Sequence, residues 1–160
     1  MRVEGLNLEP LIEETIESGG LTIQENVRFV IREGHLKCRL QVQYSENTGL
    51  SGMRLEILKS VDLPSFSIVL ILNGRRVRCY CSDVPHTNPQ DCESDPGRKF
   101  TGYHKHTWSD LTGDDCVYIP TDIPGSPLEE AFYQFCDECG ITFGGVWNDP
   151  PPAQLPLLGG

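Results

Sequence analysis

Two kinds of hydrophobic pattern divide the chain, one with a helical period and one with a two-residue period. Near the start, apolar residues recur at helical spacing: Leu8, Leu11, Ile12 and Ile16. Asn7 precedes this stretch as a capping residue, and Gly19 and Gly20 follow it as a stop signal. The pattern predicts an N-terminal helix with one buried face.

A second helix is predicted close to the C-terminus. Its apolar stripe consists of Leu128, Phe132, Phe135 and Cys139. Ser126 and Glu129 have the spacing of a capping box, Pro127 suits the first helical position, and Gly140 ends the pattern. The next segment, from Asn148, is rich in proline.

Strands occupy the region between the helices. Leu36–Tyr44 alternates apolar and polar residues, and Gly34 predicts a tight hairpin to a preceding strand Val27–Ile31. "MRLEIL" is a further strand. Phe66–Leu72 is apolar on both faces, which is typical of a central strand, and Asn73-Gly74 predicts a type I′ turn into the next one. Phe100–Trp108 is predicted as one more strand.

These elements predict the α+β class, with a single domain over residues 1–147 and a flexible Pro-rich tail over 148–160. We expect an antiparallel meandering sheet of about five or six strands with an N-terminal and a C-terminal helix packed on one face. The chain ends in Gly159-Gly160, similar to the tail of ubiquitin-like modifiers, but the preceding domain does not have the pattern of that compact fold.

Composition narrows the function classes. The net charge of −10 argues against broad nucleic-acid binding, and no apolar run reaches the length of a membrane span. The segment Arg75–His106 nevertheless has six basic and four acidic residues, and we take it as the only locally basic part of the chain. Because the first residues also lack the apolar core of a signal peptide, we expect a cytoplasmic protein. The seven cysteines are odd in number and irregularly spaced, which predicts no fixed disulfides.

Three of the four histidines, His86, His104 and His106, fall within 21 residues of one another. "PHTNP" forms a rigid turn around His86, and the spacing of the other two histidines places them on one face of a strand. Three imidazoles in one place predict an open metal site, a proton-transferring pair, or a structural cluster in which the histidines only form hydrogen bonds. If the strand registers agree, Arg78 and Tyr80 lie on the same face and hold a phosphate.

The segment Arg75–Ile141 resembles a family of small uncharacterised bacterial and phage proteins. The resemblance rests on "VPHTNP", "GYHKHTW", "VYIPTDIP" and "SPLEEAFYQFCDECGI". The same pattern is similar to toxin components of bacterial toxin–antitoxin pairs. The resemblance implies ribonuclease-like activity. It also implies that His86, His104 and His106 are the residues of the site. The chain departs from the pattern by the inserted "QDCESDPGRKF".

From these observations we expect a toxin- or defence-associated protein that cleaves RNA or another phosphate ester by histidine acid–base chemistry, with no cofactor required. One alternative is a non-catalytic acidic protein that binds a basic partner or antitoxin. A further alternative is a metal-binding protein that holds a divalent ion through the histidines. Cys136 and Cys139 form a CxxC at the end of the second helix, for which core packing is the prediction and zinc or redox chemistry the alternative.

Overall fold

The structure is a computed structural model that describes residues 8–44, 52–72, 74–82, 85–108, 113, 115–120 and 127–152. The side chains of residues 8, 9 and 11 lie outside the described part. Asn7, Asn73, Ser126 and the last eight residues also lie outside it, so the capping and tail predictions made on them stay predictions.

Two helices form where the helical patterns predict them. They are α1, Leu8–Ser18, and α2, Leu128–Glu138. Helix α2 begins one residue later than predicted, with Pro127 as its flanking residue and no side-chain cap. Gly140, the second residue after α2, has φ +66°, and an added Cβ would overlap the Ile16 carbonyl oxygen, so this position requires glycine. Neither helix of the described part is long and apolar enough to cross a membrane.

Twelve strands are present in the described residues. Their bounds are β1 Leu21–Ile23, β2 Val30–Arg32, β3 His35–Gln41, β4 Gln43–Tyr44, β5 Arg54–Ser60, β6 Phe66–Leu72, β7 Arg75–Cys81, β8 His86–Thr87, β9 Lys99–Phe100, β10 His104–Thr107, β11 Val117–Tyr118 and β12 Ile141–Phe143.

A seven-stranded antiparallel meander dominates the fold, in the order β11-β10-β7-β6-β5-β3-β2. The prediction of five or six strands was therefore too low. Strand β6 is the middle strand of the seven, as its apolar sequence predicts, because it is covered on both faces. The turn between β2 and β3 consists of Glu33 and Gly34, both with positive φ, as the predicted hairpin requires.

The remaining strands form two small sheets. Strand β1 lies between β12, to which it is parallel, and β4, to which it is antiparallel, while β8 pairs with β9. Because β12 follows α2, the second helix is close to the C-terminus without being the last element. The single strand predicted over Phe100–Trp108 is instead divided into β9 and β10, which Gly102, at φ +109°, separates.

The two faces of the meander have different roles. One face joins the helices in the main core, where Ile12 of α1 and Phe132 and Phe135 of α2 share a cluster with Ile57 and Ile68. The opposite face carries a smaller buried cluster made of Val69, Ile71, Cys79 and Cys81. The candidate chemistry lies on this second face.

Candidate functional site

The backbone register of β7 and β10 places two cysteines beside two histidines. In this antiparallel pair, Cys81 lies opposite His104 and Cys79 lies opposite His106. Directly paired residues project from the same face of a sheet, so these four side chains are neighbours on the face away from the helices. All four are buried, since His104 is 1% exposed and His106 is 7% exposed.

The third histidine reaches the same place from β8. The ring centroid of His86 lies 5.1 Å from that of His106 and 5.8 Å from that of His104, and the latter two rings are 5.0 Å apart. The structure therefore groups the three imidazoles that the sequence analysis selected. His86 is only partly buried, so it forms the rim of the site, whereas His104 and His106 form its floor.

Asn88 fixes the segment that carries His86. Its side chain is buried, donates a hydrogen bond to the Val117 carbonyl oxygen at 3.0 Å and accepts one from the Val117 amide at 2.8 Å. Because Val117 pairs with His106, these two bonds attach the His86 turn to the histidine strands.

A disulfide between Cys92 and Cys116 makes a second attachment of the same segment. The prediction of no fixed disulfides was wrong for this pair, because the folded loop brings two cysteines 24 residues apart in sequence next to each other. The five other cysteines form no disulfide in the structure.

Intact-mass analysis without reductant should show a chain lighter by two hydrogens, and peptide mapping should link Cys92 to Cys116. A Cys92→Ala/Cys116→Ala variant should lose about 3 kcal/mol of unfolding free energy, because a loop of this length gains chain entropy when it is opened. Alkylation of both cysteines in folded, unreduced protein would contradict the disulfide.

Arg78 and Tyr80 do not lie with the histidines, which corrects the predicted phosphate clamp. They pair with Thr107 and Lys105 of β10, so they project from the helix-facing side of the sheet. Arg78 is 7% exposed, forms an ion pair with Glu13 of α1 and donates to the Val77 carbonyl oxygen. Tyr80 is fully buried and packs against Phe66. Both residues are part of the core.

Cys81 is the centre of the polar contacts in the site. Its sulfur lies 3.6 Å from the Cys79 sulfur, and it also forms hydrogen bonds with His104 and His106. The hydrogen bond with Cys79 lowers the pKa of the Cys81 thiol most, and together with the two histidines it outweighs burial and brings this pKa to about 3.

His104 has the complementary shift. Burial alone would lower the pKa of this imidazole, but the hydrogen bonds to Cys81 and to the Gly102 carbonyl oxygen raise it. Since a carbonyl oxygen only accepts, the Nδ1 atom of His104 carries a proton and donates to Gly102 at 2.9 Å. In the same way Nε2 of His86 donates to the Asp115 carbonyl oxygen at 2.6 Å.

We expect the metal-free protein to contain a thiolate at neutral pH. Thiolate ultraviolet absorbance should persist as the pH is lowered from 9 and should be lost only towards the Cys81 pKa of about 3. The signal should be absent from Cys81→Ser and unchanged in Cys38→Ser, because burial raises the pKa of the Cys38 thiol. A titration centred near the ordinary cysteine pKa would contradict this prediction.

Three donor atoms of this cluster converge closely enough to hold one ion. The Cys79 and Cys81 sulfurs and a His106 ring nitrogen all lie within 4.8 Å of one another. The predicted metal set was His86, His104 and His106, so the structure retains His106 and adds two cysteines, Cys79 and Cys81. The signal for them was the matching Cys-x-Cys and His-x-His spacing on strands that pair.

The CxxC of α2 does not contribute to this site. Cys136 and Cys139 belong to the main core and are 2% and 0% exposed. Burial raises the pKa of Cys136 to about 12 and that of Cys139 well above its usual value, so both thiols stay protonated. Their role is the packing that the helical stripe predicts.

Comparison with known proteins finds no protein-family model, no curated protein and no solved structure that matches this chain. The likeness to toxin components therefore stays a prediction from the sequence, and the function has to be argued from the site itself.

Proposed function

We propose that this chain is a zinc-binding protein in which Cys79, Cys81 and His106 hold the ion and His104 supplies the fourth donor. The observation that carries the proposal is the convergence of two sulfurs and an imidazole nitrogen within 4.8 Å on one sheet face. The fold creates this arrangement, because neighbouring strands contribute i and i+2 residues in register.

The donor types favour zinc over the harder divalent ions. Thiolate and imidazole are the usual ligands of zinc, whereas magnesium and calcium prefer oxygen. Two sulfurs bound to one tetrahedral zinc ion lie about 3.8 Å apart, given bonds of about 2.3 Å. The separation of 3.6 Å between the Cys79 and Cys81 sulfurs is close to that value.

His104 suits the fourth position because it already contacts Cys81 and because its Nδ1 proton is committed to Gly102. The neutral ring then has its lone pair on Nε2, and a backbone carbonyl partner is the usual means of fixing a zinc-bound imidazole. Four buried ligands are typical of a closed structural site. Such an ion would fasten β7 to β10 and support the segment that carries His86.

A second candidate function is cleavage of RNA or another phosphate ester by the histidines, as the sequence resemblance implies. The observation in its favour is the position of His86, a partly exposed ring close to two buried imidazoles. It ranks second because Arg78 and Tyr80, the intended phosphate partners, lie on the other face of the sheet. A toxin or defence role depends on this second candidate.

Metal analysis of the purified protein tests the proposal. We expect a single zinc ion per chain, and cobalt substitution should give the sulfur-to-metal charge-transfer bands of thiolate ligands in a tetrahedral site. A chain that takes up no zinc, or cobalt spectra without thiolate bands, would overturn the proposal. RNA cleavage measured on the same samples with and without chelator separates the candidates, because histidine acid–base chemistry does not require the ion.

A further inference from the structure

A cationic groove lies at the other end of the meander, outside the metal site. Arg28, Arg32, Lys37 and Arg39 line it together with Val30. Residues 28–39 contain these four basic residues and one acidic residue, Glu33, so this segment is more basic than the histidine segment. The expectation that the histidine segment is the only basic part of the chain was therefore wrong.

Nearby carboxylates neutralise only part of this charge. Glu56 is 8% exposed and is shared by Arg39 at 2.9 Å, Arg54 at 3.2 Å and Lys37 at 3.6 Å. One carboxylate facing three cations leaves a local positive excess, to which Arg28 and Arg32 add. In a chain with a net charge of −10, such a patch is a local exception that attracts anionic groups.

The groove borders a sheet edge that is open in the described part of the chain. Strand β2 is the outermost strand of the meander and pairs only with β3. Its Val30 and Ile31 side chains are 56% and 58% exposed, unusually high for large apolar residues in a strand. Because Arg32 and His35 flank a two-residue turn and form a hydrogen-bonded pair, the amide and carbonyl of Ile31 point away from β3.

We propose that the edge of β2 binds an extended acidic peptide of a partner protein as an additional strand. The peptide backbone would pair with the outward amide and carbonyl of Ile31. Alternate peptide residues would then carry carboxylates towards Arg28 and Arg32, while the residues between them would be apolar and cover Ile31. The recognised sequence is one that alternates acidic and apolar residues.

A peptide accounts for more of these observations than a nucleic acid does. Phosphates would use the cations but neither the outward backbone groups of Ile31 nor its exposed side chain. A long polyanion would also be repelled by the rest of the acidic chain, whereas a short peptide brings few charges. The alternative given by the sequence analysis was a basic partner on an acidic surface, and this site has the opposite sign.

Binding of a fluorescent peptide of alternating glutamate and valine to the full chain provides the test. Arg28→Glu/Arg32→Glu should weaken binding by about tenfold or more, whereas Arg98→Glu, a charge reversal at an exposed arginine of another loop, should have little effect. N-methylation of the alternate peptide amides that face the protein should abolish binding, and methylation of the other alternate set should preserve it.

Four outcomes would overturn the proposal. Equal binding of both methylated peptides would show that no strand is added, and tighter binding of a single-stranded oligonucleotide at the same arginines would assign the groove to nucleic acid. Concentration-dependent dimers that the arginine reversals dissociate would make a second copy the occupant. If the parent chain did not bind the peptide and the charge-reversed variant aggregated, the role of the cations would be to keep the exposed edge from pairing with other chains.

Discussion

A Cys81→Ala chain is expected to lose zinc affinity by on the order of 100-fold or more, because even residues behind the ligands change metal affinity by about 10- to 100-fold. Cys81 should give the largest loss in the site, since it contacts Cys79, His104 and His106 together. Competition with a chromophoric chelator measures the affinity. Cys79→Ala and His106→Ala should follow closely, since their donor atoms complete the converging set.

Cys136→Ala is the matched control for this series. Cys136 is another free, buried cysteine, but it lies in the helix-facing core and its thiol stays protonated. Its loss should affect packing without affecting zinc. If Cys136→Ala and Cys81→Ala lowered zinc affinity equally, the ion would depend on the general integrity of the fold and the proposed ligands would be wrong.

The same variants should lose the stabilisation that the ion supplies. At free zinc 100-fold above the dissociation constant, the native state gains about 2.7 kcal/mol, provided that the unfolded chain does not bind the ion. Urea unfolding with and without zinc should show this difference for the parent chain and Cys136→Ala, and about 0.4 kcal/mol or less for Cys81→Ala. A zinc-independent midpoint in the parent chain would contradict it.

The long elements of the fold could be predicted because their patterns are local. The alternating sequence of β3 indicates one buried face, and the apolar sequence of β6 indicates two. Strands β1 and β12 gave no such signal, since each has three residues and its partner is 120 residues away in sequence. Strands of two or three residues are defined by their tertiary pairing, and this pairing cannot be inferred from sequence periodicity.

The candidate site was predicted only in part, because its membership depends on how β7 and β10 pair. Alternation along β7 already separates Cys79 and Cys81 from Arg78 and Tyr80, but it does not say which set faces the histidines. Shifting the pairing of β7 and β10 by one residue would exchange the two sets. The sequence analysis associated the arginine and tyrosine with the histidines, whereas the register Cys81–His104 brings the cysteines there. A cysteine in an alternating strand also resembles a small apolar residue, so the pattern alone does not indicate a metal ligand.

Lys105 shows how the histidine strand is held, and it gives the second large expected effect. The residue lies between His104 and His106 in sequence, projects to the opposite face and is 2% exposed. Its ammonium group forms an ion pair with Glu138 at the end of α2, and the Tyr118 hydroxyl donates to the same carboxylate at 3.2 Å. The Glu138 carboxylate therefore connects the end of α2 with two neighbouring strands, β10 and β11.

Glu138→Ala is expected to lower the unfolding free energy by about 3 kcal/mol, because it leaves the buried Lys105 ammonium without its carboxylate. This value is at the lower end of the losses usual for a broken buried ion pair, since the Glu138 side chain is 25% exposed and water reaches the pair. Urea denaturation measures the change. Asp137→Ala is the control: this exposed neighbour lies at the helix C-terminus, where loss of a negative charge is neutral or slightly stabilising.

A second variant distinguishes loss of the ion pair from general damage to α2. Lys105→Met/Glu138→Leu removes both charges and keeps most of the volume, so it should recover much of the stability that Glu138→Ala loses. If the double variant were less stable than Glu138→Ala, the buried ammonium would not be the cause of the loss. If Glu138→Ala cost no more than Asp137→Ala, the carboxylate would not hold the histidine strand to the helix, and the orientation of His104 and His106 would have to depend on the sheet alone.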